Sequence, residues 1–184
     1  NGGTVSVTVS SPAGFAVSNA PQTATVYREI AVGRAYLGGT IGYILQTGDA
    51  GYDASVPHGL ILSNEDLDTY CRWAVTACYD ARIGTTGMAI GTGRANSEAI
   101  VAQNGIGNYS AYLTSVYEGG GFTDWYLPSA RELEAIRRNI DLVPSCYHSS
   151  SEYDASNTYV VWNDFAVLGE GKYGGRYVRA VRDF

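Results

Sequence analysis

Few residues of this chain could do chemistry. His58 and His148 are the only histidines, and Cys71, Cys78 and Cys146 the only thiols. Cys146 and His148 stand two apart, so on a strand they would point to opposite faces, which works against a thiol–imidazole dyad. No G-x-S-x-G, H-E-x-x-H, P-loop or G-x-G-x-x-G run occurs. Gly91-Thr92-Gly93 lacks a third glycine placed to cradle a phosphate. Three cysteines make no disulfide framework, and without C-x-x-C a structural zinc site is not expected. On one helix Cys71 and Cys78 would lie about 10 Å apart, too far to bridge; on a stretch that turns back they could pair. A buried free thiol is the default for each. The reading is a protein that is not an enzyme, with no catalytic residue, no metal and no cofactor.

Trp162-Asn163-Asp164 offers hard oxygens of the kind Ca²⁺ takes, and sugar-binding C-type lectins use such a tripeptide. Two ligands of roughly six to eight do not make a calcium site, and the partner runs E-P-N and Q-P-D are missing. The expectation is an amphipathic strand with a core Trp162. Arg176, Arg179 and Arg182 are spaced along a C-terminal strand. They are expected to pair with carboxylates such as Glu132, Glu134 or Glu152 and to lock that strand.

The elements that must position these residues follow from periodicity and punctuation. Val5, Val7 and Val9 alternate with Ser and Thr, and Thr23 to Arg28 alternates again, with Pro12 and Pro21 between. Residues 1–29 therefore read as an N-terminal β-strand segment or the end of a preceding domain. From about Ile30 a second texture begins. Gly38-Gly39 marks a turn before a strand with Ile41, Tyr43 and Leu45 on one face, and Leu60 to Leu62 is a short apolar strand. Gly48 to Pro57 is a loop, Glu65 to Arg82 is ambiguous, and Thr85 to Arg94 reads as coil. Asn96 or Ser97 is placed to cap a helix that Asn104-Gly105 ends. Tyr109 to Tyr117 is a second helical stretch. Ser129 and Glu132 form an S-x-x-E capping box before Leu133, Ile136 and Ile140, which share one helical face. Trp125 and Leu127 are expected to be buried beside Leu133. Beyond Pro144 the pattern is strand-like to Phe184. Strands, then helices, then strands predict an α+β fold, with helices packed on a twisted antiparallel sheet.

Length and composition bound the function. The 184 residues suit one domain with a short appendage. Only 16% are charged, against about 25% in ordinary domains, so the surface must lean on Ser, Gly, Asn and the 15 tyrosines. Such a surface resembles a paratope, since Tyr gives wide contact area for two torsions and the small polar residues adapt. The net charge of -6 argues against nucleic acid, sulfated glycans and anionic membranes as partners. No apolar run is long enough to span a bilayer, so no membrane insertion is expected. The chain opens at Asn1 without Met, shows no signal peptide and reads as a piece excised from a longer protein.

The run Gly121-Phe122-Thr123-Asp124-Trp125-Tyr126-Leu127-Pro128-Ser129, continued by Arg131-Glu132-Leu133, resembles a family signature. It is the G-x-x-D-W-x-L-P-S/T-x-x-E-L run of the Legionella collagen-like protein C-terminal domain family. Ser149-Ser150-Ser151-Glu152 and the ending Tyr177 to Arg182 match it too, as do Val32-Gly33, Gly38-Gly39, His58 to Ile61, Gly91 to Asn96 and Ala99 to Val101. The resemblance covers roughly residues 30–184. It implies a C-type lectin-like fold, in the formylglycine-generating-enzyme-like branch, and a ligand-binding domain over 30–184. It further implies a non-catalytic receptor-binding or adhesion module, extracellular, on a cell surface or the tail fibre of a phage virion. Many similar domains are variable proteins of diversity-generating retroelements, in which adenine-directed mutagenesis rewrites a C-terminal stretch; here that would be about Tyr147 to Tyr177. Relatives commonly read Y-W-S-S-S-E where this chain has Tyr147-His148, a change that adenine-directed mutagenesis does not make from a Trp codon and that ordinary drift equally explains.

Within that stretch the ligand-binding patch is expected at His148, Tyr153, Asp154, Asn157, Tyr159, Asn163, Val167 and Tyr173, with about four of the last seven exposed. The partner would be a protein or glycan on another cell or surface, and a homo-oligomer is compatible with it. Two alternatives are a structural or trimerisation tip of a fibre and a formylglycine-generating-type oxidase relative. The latter would need a pair of reactive cysteines facing a cleft.

Overall fold

Leu60, Ile61 and Leu62 follow one another with no polar residue between, which a strand tolerates only where both of its faces are covered. In the computed structural model of the chain this run is buried throughout. The structure describes residues 29–84 and 86–184, with the backbone of Thr4–Val5 and Ala24–Thr25. It divides into two compact units, Asn1–Ile30 and Ala31–Phe184. In the first, β1 (Thr4–Val5) pairs antiparallel with β2 (Ala24–Thr25); the alternating Val7 and Val9, Pro12 and Pro21 lie outside the described residues.

The second unit is α+β. Its elements are β3 (Ala35–Tyr36), β4 (Gly39–Ile44), β5 (Gly59–Leu62), β6 (Asp68–Cys71), a 3-10 turn (Thr76–Cys78), α1 (Gly93–Asn104), α2 (Ser110–Ser115), α3 (Ala130–Asn139), β7 (Tyr147–Glu152), β8 (Asn157–Val161), β9 (Val167–Gly171), β10 (Arg176–Val178) and β11 (Val181–Asp183). They form two sheets rather than the single expected one: β11-β5-β4-β3 and β6-β10-β7-β8-β9. The first is antiparallel. The second is mixed, because β10 runs parallel to β7, with Tyr177 opposite Tyr147. The chain crosses between the sheets at Arg179–Ala180. Ser63 pins that crossing: its N–H donates to the Ala180 carbonyl at 2.9 Å and its hydroxyl accepts from the Ala180 N–H at 3.2 Å.

Ile41 and Tyr43 do not share a face as expected. The register slips between them, so Ile41 stands opposite Ile61 while Tyr43 stands opposite Leu60. A bulge at Gly42 inserts one residue and turns the later side chains over, and Ile136 of α3 packs against the bare Gly42 Cα. Each sheet face thereby receives its own cluster: Ile61 with Trp125 and Ala180, and Leu60 and Leu62 with Tyr126, Ile136 and Val181.

Helix α1 begins at Gly93, ahead of the expected cap at Asn96 or Ser97. Its N-terminus has no cap from its own segment. The carboxylate of Glu132 serves it from α3, accepting the Gly91 N–H at 2.8 Å and the Gly93 N–H at 3.3 Å. The same carboxylate accepts the Ser129 N–H at 2.7 Å and completes the capping box of α3. One buried acid therefore satisfies amide donors at two helix starts. Gly93 must lack a side chain, because a Cβ would collide with Glu132 and the Ser129 backbone. Asn96 and Ser97 lie inside the helix and are buried. Asn96 exchanges two bonds with the Gly87 backbone, at 2.6 and 2.7 Å, and Ser97 bridges to the Leu127 backbone at 3.0 Å.

Trp125, Leu127 and Leu133 are all buried, but in three separate clusters rather than side by side. Leu127 belongs with Trp73, Ile100, Tyr109 and Val178, and Leu133 with Tyr147 and Val161. The C-terminal arginines do pair with acids, although not with those expected: Arg176 with Glu170, Arg179 with Asp66 and Arg182 with Asp124. The Arg182–Asp124 pair is two-pronged, at 2.7 and 3.0 Å, and its guanidinium lies 3.9 Å from the Phe122 ring centroid. Tyr126 donates to Asp183 at 2.7 Å and exchanges backbone bonds with Val181. The Phe122–Ser129 run thus fastens the last strand, the loop before α3 and α3 itself.

Candidate functional site

Strand β7 carries Tyr-His-Ser-Ser-Ser-Glu, a polar run that would ordinarily face water. Here its first five residues are buried. Burial of that many hydroxyls is costly without partners; each of the three serines has one, while the Tyr147 hydroxyl has none. Ser149 donates to the Tyr159 carbonyl at 2.6 Å, and its own carbonyl accepts the Trp73 indole at 2.8 Å. The Ser150 N–H donates to the Pro128 carbonyl at 2.8 Å, and its hydroxyl meets Asn96 at 3.2 Å. Ser151 donates to Gly87 at 2.7 Å and accepts the Ala130 N–H at 3.0 Å. Glu152 accepts the Ile83 N–H at 2.9 Å and the Lys172 ammonium at 2.7 Å. Lys172 spends its other two protons on the Ala81 and Ala155 carbonyls, both at 2.7 Å. The chain's only lysine is therefore wholly inside, 4.9 Å from the Trp73 ring centroid. This network ties α1, α3, β7, β8 and β9 to one another.

Above that frame lies a face of tyrosines. Gly169 and Gly171 of β9 are two apart, so both present the same side of the sheet. The Tyr153 ring covers Gly169 and the Tyr173 ring covers Gly171. Across the ladder Tyr159 stands opposite Gly169 and Asn157 opposite Gly171, which puts them on that same side. Tyr153 and Tyr159 meet edge to face with ring centroids 5.1 Å apart, and Tyr173 meets Tyr79 at 6.4 Å. Tyr153 is 54% exposed and Tyr173 69%. Glycines under the rings let these tyrosines lie close over the backbone while one surface of each stays open.

The expected patch is therefore brought together in part. Tyr153, Asn157, Tyr159 and Tyr173 share one face. Asp154 shapes the turn beneath them, accepting the Ser156 and Asn157 N–H groups at 2.9 and 2.8 Å and the Asn157 amide at 2.9 Å; these bonds, that of Asn157 first, hold its carboxyl below the usual range. Val167 lies on the same side but packs half-buried against the Leu133, Tyr147 and Val161 cluster. Asn163 sits exposed at the far end, in the β8–β9 turn. Tyr153, Asn163 and Tyr173 are the exposed members, and the others are half-buried or buried. His148 is not part of any surface. It is 1% exposed, with Nε2 3.1 Å from the Cys71 and Gly174 carbonyls, because β7 runs inside the sheet with β8 on one side and β10 on the other. Burial pulls its pKa down to about 4, so the ring is neutral at physiological pH.

Sequence reasoning missed Tyr70, at 76% the most exposed tyrosine among the described residues, whose ring lies over Gly175, and Tyr79, which backs Tyr173. Both come from the ambiguous 65–82 stretch. The signal available was Gly174-Gly175 beside Tyr173, since paired glycines on a sheet mark a place where something lies close over the backbone.

Trp162 is half-buried rather than core, and its indole N–H has no partner. Asn163 and Asp164 are exposed, and Asp164 is engaged by the Ala166 N–H at 3.1 Å. The three cysteines are free thiols, with Cys71 and Cys146 buried. Burial pushes Cys71 up to about 12 and Cys146 up to about 11. No helix among the described residues is long and apolar enough to cross a membrane. No protein-family model matches the chain, and no curated protein matches it.

Proposed function

We propose that residues 31–184 are a non-catalytic ligand-recognition module of the C-type lectin-like class, with Tyr153, Asn157, Tyr159 and Tyr173 as its contact face and Tyr70 beside it. The observation that carries this reading is the pairing of an open tyrosine face with the buried, hydrogen-bonded Ser149–Glu152 and Lys172 network behind it. Rigid aromatic area on a fixed support gives contact at low entropy cost. The partner is a protein or glycan on another cell or surface, and the setting is extracellular, on a cell or a virion.

The chemistry of the thiols supports a binding role over an oxidase relative. A nucleophilic cysteine acts as thiolate, and both Cys71 and Cys146 are held protonated by burial. Retroelement diversification is compatible with the frame only at outward positions, since a change at Ser149, Ser150 or Ser151 would strand buried partners.

The test is a binding screen of the labelled protein against arrayed glycans and intact cells, repeated with Tyr153→Ala and Tyr173→Ala. A ligand retained by the parent and lost by both folded variants supports the reading. A ligand bound equally by all three places the site elsewhere.

A further inference from the structure

Arg137 is the anomaly of the interior. It is 7% exposed and lies in the last turn of α3, yet the ion pairs of the described residues do not include it. Its Nη1 has no hydrogen-bond partner. Its guanidinium lies over the Tyr147 ring, with the central carbon 5.0 Å from the centroid. Burial draws its pKa below the ordinary arginine value, against the opposing pull of Tyr147, Cys146 and the more distant Asp164 and Asp66, but an arginine stays charged at neutral pH. A buried cation without an acid in ion-pair reach is costly, and proteins ordinarily pair it. The carbonyl end of α3 favours the positive charge without supplying the planar two-oxygen partner that a guanidinium fits.

Arg137 lines a pocket of about 200 Å³ between the end of α3, residues 140–144 and the β8–β9 turn. Ile140, Leu142 and Phe165 give it an apolar wall, and Asn163 adds an amide. Phe165 is held there at φ 66, a left-handed backbone that a bulky residue seldom adopts, and Arg138 lies over its ring at 4.9 Å. Asp141 is the one acid of the lining.

We propose that this pocket is a subsite for a small carboxylate, a single –COO⁻ on a ring-sized body, received by Arg137 in a two-pronged ion pair. One guanidinium matches the single charge and the planar two-oxygen shape of a carboxylate. A phosphate dianion would keep one negative charge unmatched by Arg137 and so be repelled more by Asp141. The apolar wall takes the body of the ligand, and Asn163 and Asp141 take hydroxyls if it has them. The inference stands apart from the tyrosine face and holds whether or not that face binds anything.

Titration calorimetry at low salt with glucuronate, benzoate and inorganic phosphate tests it. We expect at least one carboxylate to saturate a single site per chain with a millimolar Kd, and Arg137→Gln to weaken it at least about tenfold, as loss of a charged partner does. Binding of glucuronate alone assigns acidic sugars, of benzoate alone apolar acids, and of both the carboxylate itself. If Arg137→Gln fails to fold, the Arg137 Nε–Hε resonance of the parent decides, since it must shift on titration. Absence of saturation by about 50 mM, a preference for phosphate, unchanged binding in folded Arg137→Gln, or an unmoved Arg137 resonance overturns the proposal.

Discussion

Lys172 reaches 2.7 Å from Glu152, with both side chains out of solvent, and this pair joins the end of β7 to the residue just before Tyr173. A buried pair of this kind need not add stability relative to apolar residues, but removing one partner leaves an unmatched charge. Lys172→Met should therefore cost about 3–5 kcal/mol in urea unfolding, and a cost below about 1 kcal/mol would show the acid to be satisfied by backbone alone.

Trp125 fills the space between Ile61 and Ala180 and donates its indole N–H to the Phe122 carbonyl at 3.0 Å. Trp125→Ala should lose about 3–5 kcal/mol as a core truncation. A loss under about 1 kcal/mol would mean the cluster closes over the gap, contrary to the role given to this side chain.

His148 supplies a pH dependence whose sign can be worked out. Its folded pKa of about 4 lies below the unfolded 6.5, so the unfolded chain binds the proton more readily between those values. Its stabilising contribution is complete above pH 6.5 and declines as pH falls towards 4, by about 3 kcal/mol in all. Glu132, raised by burial, acts in the opposite sense as pH rises. The clean measurement is the difference in unfolding free energy between parent and His148→Gln across that window. A pH-independent difference would refute the assignment.

Asn163 and Asp164 are solvent-facing turn residues, and the described residues hold no cluster of three His, Cys, Asp or Glu side chains that could bind a metal. EDTA should leave Tm unchanged. A fall of several degrees restored by Ca²⁺ would reveal a cation site, since a ligand that binds only the native state raises Tm.

The parts of this fold that were legible in the sequence are those with local physical signatures. The Ser129/Glu132 capping box and the apolar run at Leu60–Leu62 announce themselves within a few residues. What escaped depends on partners far along the chain. Glu132 also caps α1, which moved that helix start from Asn96 to Gly93, and nothing near Gly93 says so. The Gly42 bulge, which separates Ile41 from Tyr43, is likewise set by Ile136 and by pairing with β5. In the candidate site, residue types pointed to Tyr153, Tyr159 and Tyr173. Burial of His148 followed from the parallel pairing of β10 with β7, and Tyr70 from a strand whose pattern was ambiguous.

The account's central claim is that Tyr153 and Tyr173 serve a ligand rather than the core. The most direct measurement pairs unfolding free energy with ligand affinity for Tyr153→Ala and Tyr173→Ala. Each variant should lose no more than about 1.5 kcal/mol of stability, the worth of its edge-to-face pair, and at least about 1 kcal/mol of binding. Lost stability with binding intact would contradict the claim and return both tyrosines to the scaffold.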